Sequence, residues 1–188
     1  VQRGADVDGD YDYGGLGNSV ALSSDGNVLA VGRPGSGDGV TGTSLKGLVK
    51  VYAWNGSAWA RRGTDIEGEA NYDNSGSAVA ISSDGNTLAI GARYNDAGGT
   101  DKGQVRVHQW NGRAWLQRGN DIDGEANEDE FGSAVAISSD GNTIAAGAQK
   151  NDAGGSNKGH VRVYRWNGSG WVQRGADIDG EANVNRSG

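Results

Sequence analysis

The feature that most constrains this chain is internal repetition. Trp54, Trp110 and Trp166 lie 56 residues apart, and Trp59, Trp115 and Trp171 keep the same interval. The block Ser-Ser-Asp-Gly-Asn ends at Asn27, Asn86 and Asn142, spaced 59 and 56. The three extra residues fall in the first unit's loop, Pro34 to Lys46. Chance does not give this register, so one structural unit is used three times.

Each unit reads as four short strands. In the middle unit, Ser77–Ser82 and Asn86–Gly91 flank Ser83-Asp84-Gly85. That is a tight-turn signal, because Asp-Gly supplies the positive φ a hairpin needs. Gln104–Trp110 alternates apolar with polar, Asn111-Gly112 turns the chain, and Trp115–Gly119 forms the fourth strand. The first two strands are small and apolar on both faces and are expected to be the most buried. The third and fourth are expected nearer solvent. Glycine, 35 of 188 residues, interrupts every run, and none has a helical period. The expectation is an all-β chain, a β-propeller of four-stranded blades with a repeat of about 56 residues. The alternative is a β-solenoid, whose repeats run nearer 20 residues (roughly).

On this register, residues 1–13 are the outer strand of a preceding blade with its connector. Residues 14–69, 70–125 and 126–181 are three blades, and 182–188 start a next repeat. Val1-Gln2-Arg3-Gly4-Ala5-Asp6-Val7-Asp8-Gly9 is nearly the text of Val172 to Gly180. Three blades fall short of the roughly 4–8 of a closed propeller. Either further blades complete the ring in a longer chain or several chains associate. The duplicated outer strand also permits exchange between chains, since an open blade edge invites pairing.

Composition removes several classes. Without cysteine there is no disulfide scaffold, thiolate zinc site or cysteine nucleophile. No apolar run approaches the length of a membrane-spanning helix. Lys+Arg is 17 against 24 Asp+Glu, a net charge of −7 without a basic cluster, so nucleic acid is not an expected partner. Val1-Gln2-Arg3-Gly4 shows no secretion leader, and the natural N-terminus is expected to be missing.

Phe131-Gly132-Ser133-Ala134-Val135-Ala136-Ile137 and Ala145-Ala146-Gly147-Ala148 resemble FG-GAP repeats, the blades of integrin α-subunit propellers. Closer still is the likeness to FG-GAP-like repeats of bacterial and algal surface proteins. It rests on Asp-Ile-Asp-Gly-Glu-Ala, Ser-Ser-Asp-Gly, Gly-His-Val-Arg-Val-Tyr and Trp-Asn-Gly, and covers all three units. The resemblance implies a seven-bladed type of propeller, extracellular or at the cell surface, used in adhesion or ligand binding. There are departures. Phe occurs only at Phe131, where the other units have Gly15-Leu16 and Ser75-Gly76, and Pro only at Pro34. The integrin blade also carries a calcium loop between its first two strands. Here that loop offers one carboxylate, Asp25, Asp84 or Asp140, whereas calcium takes roughly 6–8 oxygens, so no site is expected there.

The richer acidic text lies at the junctions between units. It comprises Asp65, Glu67, Glu69 and Asp73, then Asp121, Asp123, Glu125 and Asp129, then Asp177, Asp179 and Glu181. Asp6, Asp8, Asp10 and Asp12 hold the same places at the start. Oxygen-bearing side chains at alternate positions around a glycine suit a curled cation loop, so these are candidate Ca²⁺ ligands. They equally suit a connector whose Asp caps backbone N–H groups. No other cofactor is indicated. Asn95, Asp96 and Asp101, with Asn151 and Asp152, mark a second polar loop expected on one rim, where a protein or glycan could bind. The paired tryptophans suit packing across a hairpin, or stacking on sugars. His108 and His160 occupy inequivalent places and are expected to be exposed strand residues. Asn55, Asn167 and Asn185 fit the N-glycosylation pattern.

No nucleophile–base–acid set stands out, so the chain is not expected to be an enzyme. The expected function is a non-catalytic extracellular or cell-surface module for adhesion, scaffolding or assembly. The alternative is a calcium-dependent, lectin-like carbohydrate binder.

Overall fold

The computed structural model describes residues 2–9, 15–35, 46–152 and 156–181. They form three antiparallel sheets and no helix. The first sheet contains β1 (Ser19–Leu22), β2 (Val28–Arg33), β3 (Leu48–Trp54), β4 (Trp59–Arg61) and β5 (Ile66–Glu67). The second contains β6 (Ser75–Ile81), β7 (Thr87–Ala92), β8 (Gln104–Trp110), β9 (Trp115–Gln117) and β10 (Ile122–Asp123). The third contains β11 (Phe131–Ile137), β12 (Thr143–Ala148), β13 (His160–Trp166), β14 (Trp171–Gln173) and β15 (Ile178–Asp179).

In each sheet the last two segments both pair with the third strand, so they are one outer strand interrupted by a bulge. Arg61 opposes Tyr52 and Ile66 opposes Val49, which leaves two more residues on the outer strand than on its partner. The bulge contains Arg62-Gly63. These are the four-stranded blades of a β-propeller, as the repeat length predicted. Asp10, Asp12, most of the first unit's long loop, part of the Asn151 loop and the segment containing Asn185 lie outside the described residues.

The blades stack face to face and the core lies between them. Val28, Ala30, Val49, Val51 and Ile66 on the trailing face of blade 1 meet Val79, Leu88 and Ile90 on the leading face of blade 2. Ala89, Val105, Val107 and Ile122 then meet Phe131, Ile144 and Ala146 of blade 3. Burying each Val, Leu, Ile or Phe side chain among them contributes about 1.5–3 kcal/mol.

This stacking corrects the expected order of burial. β7 is buried throughout, and β8 is buried from Gln104 to His108. By contrast β11 leaves Ala134 and Ala136 exposed. Alternation in a third strand is not core against solvent, because both faces of an inner blade are covered. Its apolar residues face the next blade and its polar residues face the preceding one. The fourth strands are the exposed ones, as expected.

Glycine permits the closest approaches. A Cβ at Gly91 would lie 2.0 Å from the Gly132 carbonyl oxygen, and one at Gly32 would lie 2.2 Å from that of Gly76. Backbone bonds also cross between blades at the hairpin turns. Ser24 N–H donates to the Ser83 carbonyl and Ser83 N–H to that of Ser139, each at 3.1 Å.

Candidate functional site

The most regular polar constellation is a clasp built once per junction. Its receptor begins with the Ser-Ser-Asp-Gly-Asn turn. In blade 1, Ser23 Oγ donates to Asp25 at 2.6 Å, and Asp25 accepts the Asn27 N–H at 2.9 Å. The Ser23 hydroxyl, backed by both Asn27 donors, holds the Asp25 carboxyl down at about 2, and Ser138 with Asn142 does the same to Asp140. In Asp84 partial burial opposes the shift, but the bonds from Ser82 and Asn86 prevail and its pKa is still lowered. The turn therefore stays anionic, with the carbonyl of its Gly and the Oδ1 of its Asn facing the neighbouring blade.

An arginine from the preceding blade's bulge fills this receptor. Arg62 donates to the Gly85 carbonyl at 2.6 Å and to Asn86 Oδ1 at 2.5 Å. Arg118 binds Gly141 and Asn142 at 2.8 and 2.7 Å, and Arg3 binds Gly26 and Asn27 at the same two distances. Each guanidinium also lies on the tryptophan pair of the receiving blade. Arg62 is 5.0 Å from the Trp110 ring centre and Arg118 is 4.7 Å from that of Trp166. The second tryptophan answers, since Trp115 Nε1 donates to the Arg62 carbonyl at 2.8 Å. Burial pulls the Arg62 and Arg118 guanidinium groups below their ordinary value, opposed by Asp84 and Asp140 respectively. Both remain cations at neutral pH.

The residue after each clasp arginine must be glycine. Gly119 has φ +84°, and a Cβ there would lie 2.7 Å from the Trp166 ring. The tryptophan pairs thus pack with their rings tilted against each other, ring centres 5.5 Å apart, and close the clasp. Sequence reasoning placed the tryptophans in packing roles but missed the arginines. The signal was present: Arg62, Arg118 and Arg174 precede Gly at an interval of 56.

The acidic candidates are dispersed. Asp73 is buried and accepts the Ala70 N–H at 2.9 Å and Asn95 Nδ2 at 3.0 Å. Asp129 repeats this with Ala126 and Asn151. Asp65 pairs with Arg61, and Asp121 accepts Gln117 Nε2 at 2.6 Å. Glu67, through its carbonyl, and Glu69, through its carboxylate, both meet Arg106 of the next blade. Asp123 accepts from Gln104 at 3.2 Å. Asp179 and Glu181 stand near the open side of blade 3, with Asp179 exposed.

Glu125, His160 and Asp177 are the one group of three potential ligands converging among the described residues. Arg162 occupies that place. It ion-pairs with Glu125 and holds Asp177 with two bonds, at 2.6 and 2.9 Å. Those bonds, more than any other influence, keep the Asp177 carboxyl below its ordinary range. Two carboxylates and an imidazole around a guanidinium do not suit calcium, which requires an oxygen cage.

The polar loops are held the same way. Asn95 and Asn151 are buried against Asp73 and Asp129, while the exposed Asp96 and Asp152 cap the N–H of Asp101 and Asn157. Asn55 and Asn167 each use Oδ1 to close a hairpin turn. The histidines correct a second expectation: both are buried, His160 completely. They lie on leading faces covered by the preceding blade. Burial, with Arg106 alongside, pushes the His108 pKa down to about 4, so it is neutral at physiological pH.

The FG-GAP repeat family matches residues 67–107 and 121–164. Comparison with curated proteins gives no match. Among solved structures, the chain is similar to hydrazine synthase of Kuenenia stuttgartiensis, with a TM-score of 0.56 at 15% identity, over 97% of this chain and 40% of that one. It is also similar to a 6-phosphogluconolactonase candidate from Bacteroides uniformis, with a TM-score of 0.56 at 9% identity, over 85% of this chain and 40% of that one. At these identities the likeness is one of fold, and the chain spans less than half the length of either. The stacked four-stranded blades, the two matched segments and the propeller-like neighbours agree: residues 67–107 and 121–164 are similar to FG-GAP repeats, within a chain of the β-propeller type.

Proposed function

We propose that this chain is a non-catalytic module working outside the cell or at its surface, in adhesion, scaffolding or assembly. The observation that carries the reading is the clasp. Arginine, tryptophan, aspartate and asparagine recur at equivalent places, and each set binds one blade to the next. Polar chemistry repeated in every blade supports cohesion, whereas a reaction centre needs groups gathered once. The FG-GAP repeats favour an extracellular setting, and no helix of the described residues is long and apolar enough to cross a membrane.

A second reading, glycan binding, draws on one feature. A groove of about 500 Å³ between the outer strands is lined by Trp110, Asn111, Gln117 and Trp166, an aromatic and amide surface of the kind sugars use. One experiment separates the two. The purified chain is applied to immobilised cell-surface proteins and to a glycan array, with calcium or with EDTA. Protein binding that survives EDTA is the expected result. Glycan binding abolished by EDTA would transfer the assignment to the lectin-like reading, and no retention on either surface overturns both.

A further inference from the structure

One buried polar group fits none of the repeated roles. His160 is completely buried, and neither of its ring nitrogens has a hydrogen-bond partner. A buried imidazole left unpaired costs free energy, so its place requires a reason. Its Nδ1 lies 3.9 Å from Asp177 Oδ2, in the outer strand of the same blade. Glu125, from the connector that leaves blade 2, brings a second carboxylate. One ligand atom from each of the three lies within 4.8 Å of the other two. The group therefore spans the junction between blades 2 and 3, and the exposed Glu125 gives an ion a way in.

The repeat sets this junction apart. The equivalents of His160 are Leu48 in blade 1 and Gln104 in blade 2. Between blades 1 and 2, Gln104 Nε2 donates to Glu69 and Asp123 at 3.3 and 3.2 Å, so an amide serves the acids there. Asp121 is held by Gln117, away from Glu69. At His160 a group that can coordinate an ion replaces that amide donor. Arg162 is the counter-ion, its Nη2 lying between Glu125 and Asp177 Oδ2. Its single positive charge balances only one of the two carboxylates. A divalent ion standing in place of Nη2 would balance both and would engage the imidazole as well. Gln173 Nε2 holds Asp177 Oδ1 at 2.6 Å, which keeps the carboxylate oriented once the guanidinium leaves Oδ2.

We propose that Glu125, His160 and Asp177 bind a divalent transition metal of the zinc class, which displaces Arg162 and clamps blade 2 to blade 3. One imidazole nitrogen and two carboxylate oxygens are ligands that such an ion accepts, with water in the remaining position. Calcium, which takes oxygen alone, does not use the imidazole. Bonds of about 2.0–2.2 Å put tetrahedral ligands about 3.3–3.6 Å apart, so the three side chains close by about 1 Å around the ion. Side-chain rotation supplies that much without moving the strands. The site lies within a junction, away from the groove of Trp110 and Trp166, and is independent of the adhesion reading.

Zinc chloride titrated into the full chain by calorimetry tests this, with calcium chloride in parallel. The expected result is one zinc per chain, a thermal midpoint that rises with zinc, and no heat from calcium at the same concentrations. The chain has no cysteine and only two histidines, so few other ligands compete. In imidazole nitrogen NMR spectra of the labelled parent chain, zinc should shift the His160 resonances and leave those of His108 in place. His160→Gln installs the residue blade 2 already carries there and should weaken zinc binding by more than about 100-fold. Arg162→Met removes the competing guanidinium and should tighten it by about tenfold. No zinc binding up to about 1 mM overturns the proposal. So does zinc binding that survives His160→Gln, or that leaves the His160 resonances unmoved. Because the spectra are read on the parent chain, a variant that fails to fold does not decide the outcome.

Discussion

The filled junction between blades 2 and 3 and the open face of blade 3 contain the same residue types in the same register, yet they differ in nearly every physical respect. Ile122, Val105 and Val107 are covered, while Ile178, Val161 and Val163 are not. Arg118 has two acceptors and two aromatic rings, and Arg174 has neither among the described residues. A blade's sequence therefore describes half of an interface, and its stability is set by whether the other half is present. Paired substitutions at equivalent positions isolate that term, because chemistry and backbone conformation are held constant.

The largest difference is expected at the apolar centre. Ile122→Ala should lower unfolding free energy by about 2–4 kcal/mol, since it opens a cavity in a packed core. Ile178→Ala, at an exposed site, should cost within about 0.5 kcal/mol. Urea unfolding of the two variants measures this, and equal losses would break the comparison. Next comes the clasp glycine. Gly119→Ala combines a left-handed φ with a collision against Trp166, for about 2–3 kcal/mol, whereas Gly175→Ala carries only the conformational part, about 1 kcal/mol. Arg118→Ala should remove about 1–2 kcal/mol through lost hydrogen bonds and the cation–π contact, and Arg174→Ala should leave monomer stability unchanged.

The smallest effect concerns the turns. Asp25 and Asp140 are held at about 2 against an ordinary 3.8, so the unfolded chain binds more protons between those values. Their stabilisation is present above about pH 4 and declines as pH falls toward 2. Thermal midpoints across that window should drop less steeply in the Asp25→Asn/Asp140→Asn chain than in the parent.

Much of this architecture was legible because repetition and hairpin turns are local signals. Trp54 to Trp166 gave the register, Asp-Gly and Asn-Gly gave the turns, and strand alternation gave the pairing partners. What escaped was everything that depends on a neighbouring blade. His108 and His160 look like solvent-facing positions in an isolated strand, and only stacking reveals that another sheet covers them. Asp73 and Asp129 stand in acidic runs along the sequence, and only the fold brings a buried asparagine against each. The clasp arginines lie outside any strand period, in a bulge whose role is defined by the turn they reach in the next unit.

The backbone bonds between successive hairpin turns, Ser24 to Ser83 and Ser83 to Ser139, have an evolutionary consequence. Main-chain groups are the same in every residue but proline, which lacks the N–H, so this seam is otherwise insensitive to side-chain divergence. Unequal recombination between tandem gene segments in this register would join any unit to any other with the seam preserved.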